Sequence, residues 1–187
     1  MLVTVLRIFP MALGAAWLVA APAAPSVEPT RAPFDAVRAD CEDFRGATIC
    51  SYQVTKQRGD RVCGIQRYFA TNAYYYQRFV ATVDGDVARI AKICGDPGSE
   101  TDTYCRGQAP DHASKVGWGT SDALLVACEG GRYDAKSGKV VGCTAEASSA
   151  PAHRETDLPA LVDDLDSDGP DTENLAWLKR CVAGQED

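Results

Sequence analysis

Hydrophobic and polar residues alternate along this chain with more than one period, and each period predicts an element. In "FDAVRADCEDF", Phe34, Val37 and Cys41 recur at helical spacing, so a short amphipathic helix is expected there. "TICSYQV" alternates instead, with Cys50, Tyr52 and Val54 on one face, and "RVCGI" resumes apolar character after a polar stretch. The pair predicts a β-hairpin turning around Lys56–Asp60. Phe79–Val83 reads as strand. Asp84-Gly85 then offers either an Asp-Gly hairpin turn or the start of a helix. The helix is favoured, because Val87, Ile90, Ala91 and Cys94 would share a face, with Asp84 or Asp86 as cap and Gly95 as stop. "ALLVAC" (Ala123–Cys128) and "KVVGC" (Lys139–Cys143) predict two further strands, joined by "EGGRYDAKSG" into a second cysteine-bounded hairpin. Near the C-terminus, "TENLAWLKRC" places Leu175, Leu178 and Val182 on one face of a helix capped by Thr172 or Asp171.

The expected fold class is therefore α+β: an antiparallel sheet with two or three short helices. Ahead of it, Arg7 is the only charge in "MLVTVLRIFPMALGAAWLVAAPAAPS". The apolar run is too short and too poorly flanked for a membrane span, and small residues offer cleavage after Ala21 or Ala23. Residues 1–23 are read as a secretory signal peptide and 24–33 as a Pro-rich leader. Residues 34–144 are read as a disulfide-rich core domain, and 145–187 as an acidic loop and C-terminal helix tethered by Cys181.

An exported chain changes the meaning of its cysteines. Cys41, Cys50, Cys63, Cys94, Cys105, Cys128, Cys143 and Cys181 are even in number and imply four disulfides. Their spacing leaves the pairing open among roughly a hundred connectivities. No short Cys-x2-4-Cys knuckle exists, so a zinc site is not expected.

Charge divides the chain. Residues 24–144 hold fifteen acids and fifteen bases; residues 145–187 hold eleven acids and three bases. A neutral body with an acidic end suits neither nucleic acid nor an anionic membrane surface.

Four constellations carry candidate chemistry. Arg58-Gly59-Asp60 fits an exposed turn first, since turns favour Gly and Asp. It also matches the tripeptide of adhesion loops, whose guanidinium and carboxylate reach a receptor from opposite sides of a tight bend. "DLDSDG" opens like an EF-hand calcium loop, with Asp164, Asp166 and Asp168 as ligands and Gly169 at the bend. The match fails at its twelfth position, which is Leu175 where a bidentate acid is needed. Tyr74, Tyr75 and Tyr76 lie between Arg67 and Arg78, a combination suited to a recognition surface. The alternative is a sheet packed through its aromatics. Catalysis finds little support: His112 and His153 are the only histidines, Asp111 and Ser114 merely neighbour His112 in sequence, and no Gly-x-Ser-x-Gly or His-Glu-x-x-His is present.

The combination of signal, Pro-rich leader, compact body and even cysteines resembles the small secreted cysteine-rich proteins of filamentous fungi, many of them effectors. That resemblance implies virulence and a host partner; it carries over no site residue. The expected function is non-catalytic binding of an extracellular protein or glycan partner through the aromatic–Arg region and the Lys56–Arg61 turn, with no cofactor. The runners-up are a small secreted hydrolase such as a nuclease, using His112 with nearby acids, and an adhesion protein dependent on Arg-Gly-Asp or calcium.

Overall fold

Two-residue turns decide the architecture. In the computed structural model, residues 33–95, 103–128, 131–143 and 154–185 are described. The expected signal peptide, the leader up to residue 32 and His153 lie outside them. β1 (Ala36–Phe44), β2 (Ala47–Arg58), β3 (Arg61–Ala70), β4 (Ala73–Asp84) and β5 (Val87–Gly95) follow one another with only two residues between each. Arg45 and Gly46, then Thr71 and Asn72, all have positive φ, as a type I′ turn requires. The other two turns carry positive φ at their first central residue alone, Gly59 (φ 64°) and Gly85 (φ 63°), the pattern of type II′. Both types twist with the strands they join, so the chain runs as an uninterrupted antiparallel meander.

β6 (Leu124–Val126) adds to β5 and completes a six-stranded sheet in the order β1-β2-β3-β4-β5-β6. β7 (Arg132–Asp134) and β8 (Lys139–Val141) form a separate two-stranded ribbon. The sheet curls into a half-barrel. Ala36, Arg38, Gln53 and Thr55 at one edge line the same small cavity as Leu125, Val126 and Ala127 at the other. Phe34, Val62, Phe79, Ala81, Ala88, Ile90 and Ile93 fill the inner face. A Cβ on Gly64 would come within 2.0 Å of the Phe79 ring, so the pair Gly64↔Phe79 is a close approach that glycine permits.

The sheet thus dominates the expected α+β fold, and two expected helices are strands. The helix expected from Phe34 to Cys41 is β1, where Val37 and Ala39 pair with Val54 and Tyr52 across a tight turn. The helix expected from Val87 to Cys94 is β5. There the pairing shifts from Ala81↔Ile90 to Val80↔Lys92, which leaves Ala91 as the extra residue of a bulge. That insertion breaks the two-residue alternation and imitates a helical period.

The outer face is covered by the C-terminal segment: a 3-10 turn at Glu155–Asp157, α1 (Leu158–Leu161) and α2 (Pro170–Val182). Leu158, Val162, Trp177, Leu178 and Cys181 pack onto Val37, Tyr52, Val54, Ile65 and Val80. Pro170 opens α2 behind Gly169 as N-cap. The expected caps serve otherwise: Thr172 donates its hydroxyl to the carbonyls of Asp166 and Ser167, and Asp171 is buried against the sheet.

All eight cysteines are paired, as Cys41–Cys50, Cys63–Cys181, Cys94–Cys105 and Cys128–Cys143. Four disulfides suit an oxidising compartment. No helix among the described residues is long and apolar enough to cross a membrane, which says nothing of spans made by strands.

The Gly59 turn makes a first prediction. Arg58, Gly59 and Asp60 are exposed, and open space surrounds the position of a Gly59 Cβ. Any cost of substitution there is backbone strain. Gly59→Val should destabilise the protein by about 1 kcal/mol or more, and Asp60→Glu should leave stability within ~0.5 kcal/mol of wild type. Chemical denaturation of the two variants measures both.

Candidate functional site

Two arginines on the outer face of the sheet organise every buried charge described here. Arg67 on β3 is almost fully buried, with 1% of its surface exposed. One guanidinium nitrogen donates to the Asp171 carboxylate at 2.9 Å, the other to Asp164 at 2.6 Å and to the carbonyl of Cys50 at 2.9 Å. The guanidinium also lies over the rings of Tyr74 (4.3 Å) and Tyr52 (5.0 Å). The Tyr52 hydroxyl donates to Asp171, and the Tyr74 hydroxyl to Asp164. The Asp166 amide closes the ring by donating to Asp171 at 3.0 Å.

Arg78 on β4 repeats the arrangement one strand away. Its Nε donates to the Asn174 carbonyl oxygen at 2.6 Å, and a terminal nitrogen reaches Glu173 at 3.1 Å. Its guanidinium stacks 5.3 Å from the Trp177 ring. Gln108 donates to the same Asn174 oxygen, and Trp118 lies 5.9 Å from Trp177. The loop that Cys94–Cys105 ties to β5 therefore also rests on α2.

Electrostatics follow from burial. Burial alone would lower the Arg67 pKa, but the hydrogen bond to Asp164 and the charges of Asp171 and Asp164 outweigh it and raise it. Arg78 is lowered, chiefly by burial, with Glu173 opposing. Burial raises Tyr52, and its bond to Asp171 adds to the effect. Burial, then the Asp171 charge, pushes Tyr76 up to about 12.

A phenol whose folded pKa exceeds its unfolded value stabilises the fold fully below the unfolded pKa. That contribution disappears as pH rises through the folded pKa. For Tyr76 the window runs from 10.0 to about 12. Stability should therefore fall across that window, and tyrosinate absorbance of the folded protein should lag behind that of the denatured chain. Overlapping titrations of folded and denatured protein would contradict the burial of Tyr52 and Tyr76.

Arg58 and Asp60 flank Gly59 on an exposed turn. Arg67 and Arg78 are buried, and their partners are the chain's own acidic segment and α2. Tyr74, Tyr75 and Tyr76 are half-buried. Tyr74 and Tyr76 share the outer face, while Tyr75 stacks on Tyr68 with ring centroids 5.5 Å apart. Asp164 is engaged by Arg67 and Tyr74, and Asp166 receives the backbone amide of Asp168 at 3.0 Å. Among the described residues, Asp164, Asp166 and Asp168 do not bring three ligand oxygens within 4.8 Å of one another; Asp163 does approach two sulfurs that closely, but they are those of the Cys41–Cys50 disulfide. His112, Asp111 and Ser114 are exposed on the loop after Cys105.

No family model, curated protein or solved structure matches the chain.

The sequence reading missed Tyr52, Asp171 and Asn174 as members of the arginine network, and Arg132 and Tyr133 as exposed residues. Asp171, Asn174, Leu178 and Cys181 do recur at helical spacing, and that face is the buried one. Two of its four members are polar, which hides it from a search for apolar stripes.

Proposed function

We propose that the protein is secreted and serves as a non-catalytic binding protein for an extracellular protein or glycan partner. The observation that supports this is the disposition of charge. The buried arginines are engaged by the chain's own Asp164, Asp171, Glu173 and Asn174 between the sheet and the C-terminal segment. The tight hairpin tips face solvent on a disulfide-braced scaffold. Such a scaffold holds a contact surface rigid, so little ordering entropy opposes binding. The hydrolase alternative would need a base held within hydrogen-bond reach of its partner, whereas His112, Asp111 and Ser114 are exposed loop side chains.

Affinity capture from extracellular fluid tests the reading. Immobilised wild-type protein should retain a specific partner, and substitutions at exposed residues, Arg58→Ala with Asp60→Ala at a tip or Tyr133→Ala on β7, should release it without changing the melting temperature. Hydrolysis of nucleic acid, peptide or glycan by the purified protein, lost in His112→Ala, would overturn it.

One further reading has its own observation. Gly59 holds a positive φ with Arg58 and Asp60 exposed on either side, the geometry an Arg-Gly-Asp adhesion loop needs. Cell attachment to immobilised wild type that vanishes with folded Asp60→Glu would establish it; attachment to neither protein would remove it.

A further inference from the structure

We infer that the β7–β8 hairpin is a substrate-like inhibitory loop for a serine protease of trypsin-like specificity, with Arg132 as the residue that enters the specificity pocket. This rests on the binding-protein reading and names its partner class. Arg132 is exposed and lies in an extended strand. Among the described residues β7 pairs only with β8, so it is an edge strand of a two-stranded ribbon. Serine proteases bind the chain they cleave in extended form, using main-chain hydrogen bonds along one edge. A carboxylate at the base of the primary pocket selects an arginine or lysine side chain.

The hairpin is also braced where an inhibitor needs bracing. Cys128 and Cys143, 15 residues apart, close it with a disulfide. A Cβ on Gly131 would meet the Cys128 sulfur at 2.3 Å and the Cys143 sulfur at 3.1 Å. The residue before Arg132 therefore lies directly against the disulfide. At the far end Asp134 holds the turn: it accepts from the Lys136 amide at 3.1 Å and the Ser137 hydroxyl at 2.7 Å. Hydrolysis of the Arg132–Tyr133 bond would consume one water and create a carboxylate and an ammonium. The disulfide would keep the two new ends on one molecule. Tethered ends favour the intact or rebound loop over release, which separates an inhibitor from a substrate.

Three other exposed cations fit less well. Lys136 sits in a turn folded back by the Gly138 amide on the Asp134 carbonyl, 2.9 Å. Arg58 precedes a tight turn. Arg38 lies on the edge strand β1, but its side chain lines the cavity between the two edges of the sheet.

The test is inhibition of trypsin by the intact, disulfide-bonded protein, titrated against a chromogenic peptide substrate. Wild type should inhibit at near-stoichiometric concentrations. Arg132→Ala should weaken inhibition by about 100-fold or more, and Lys136→Ala should leave it unchanged. Arg132→Phe should move inhibition from trypsin to chymotrypsin. No inhibition by folded wild type, or turnover at Arg132–Tyr133 as rapid as that of an ordinary peptide, overturns the inference. So does inhibition that survives Arg132→Ala. Capture of a non-protease partner that Arg58→Ala with Asp60→Ala abolishes would leave the binding reading standing without this loop.

Discussion

Arg67→Met should lower the unfolding free energy by about 3–5 kcal/mol, measured by urea or guanidinium denaturation. Removing one partner of a buried ion pair leaves the other without compensation, and here two carboxylates lose their cation. Asp171 is fully buried, while Asp164 keeps 29% of its side chain exposed. The cost should therefore arise mainly at Asp171. Adding Asp171→Asn to Arg67→Met should recover part of the loss, because the uncompensated buried charge is gone and the amide can still meet the Tyr52 hydroxyl. If Arg67→Met alone melts within a degree of wild type, the network does not hold the segment down.

The second large effect belongs to Cys63–Cys181. This disulfide spans 118 residues, against 9, 11 and 15 for the others. It fixes the end of α2 to β3, beside Leu178 and Trp177. Replacing both cysteines with alanine should cost about 3–5 kcal/mol, more than opening any of the three short loops. The variant should also let protease cut between residues 154 and 169 before it reaches the sheet. Equal losses on opening Cys94–Cys105 and Cys63–Cys181 would contradict this ranking.

Much of the sheet was legible in the sequence, and its failures have local causes. Alternation in Cys50–Val54 revealed β2, which buries one face, and the apolar run Val62–Ile65 revealed β3, which is buried on both. Phe34, Val37 and Cys41 misled because Phe34 precedes β1 and packs on the opposite face, while Val37, Ala39 and Cys41 alternate along the strand. β5 misled through the bulge at Ala91. The turns Arg45-Gly46 and Thr71-Asn72 carry weaker signals than Asn-Gly or Asp-Gly, so the full meander was not visible. The short α1 and the Glu155–Asp157 turn gave no periodic signal at all. Glu155 nevertheless joins Lys56 on β2 to Lys179 on α2, at 3.0 and 3.2 Å.

The candidate site was legible in residue type and not in disposition. Arginine among tyrosines was read as a contact surface for a partner and "DLDSDG" as a calcium loop, whereas in the fold Arg67 and Tyr74 engage Asp164 of that very loop. Sequence could not show that the two features meet each other. Their contact spans 97 residues from Arg67 to Asp164 and 104 from Arg67 to Asp171, and no local pattern encodes a pairing at that distance. The exposed status of Arg132 and Tyr133 has the same origin. It depends on β7 and β8 standing outside the main sheet, a tertiary outcome.

Arg67 and Arg78 clamp the chain's own C-terminal segment, while Arg58 and Arg132 stay exposed. Native-state modification with an arginine-selective dicarbonyl reagent, followed by peptide mapping, tests it most directly. Arg58 and Arg132 should be modified fast, with Arg67 and Arg78 protected until the protein unfolds. Modification of Arg67 and Arg78 at the rate of Arg58, in protein that retains its native melting temperature, would contradict it.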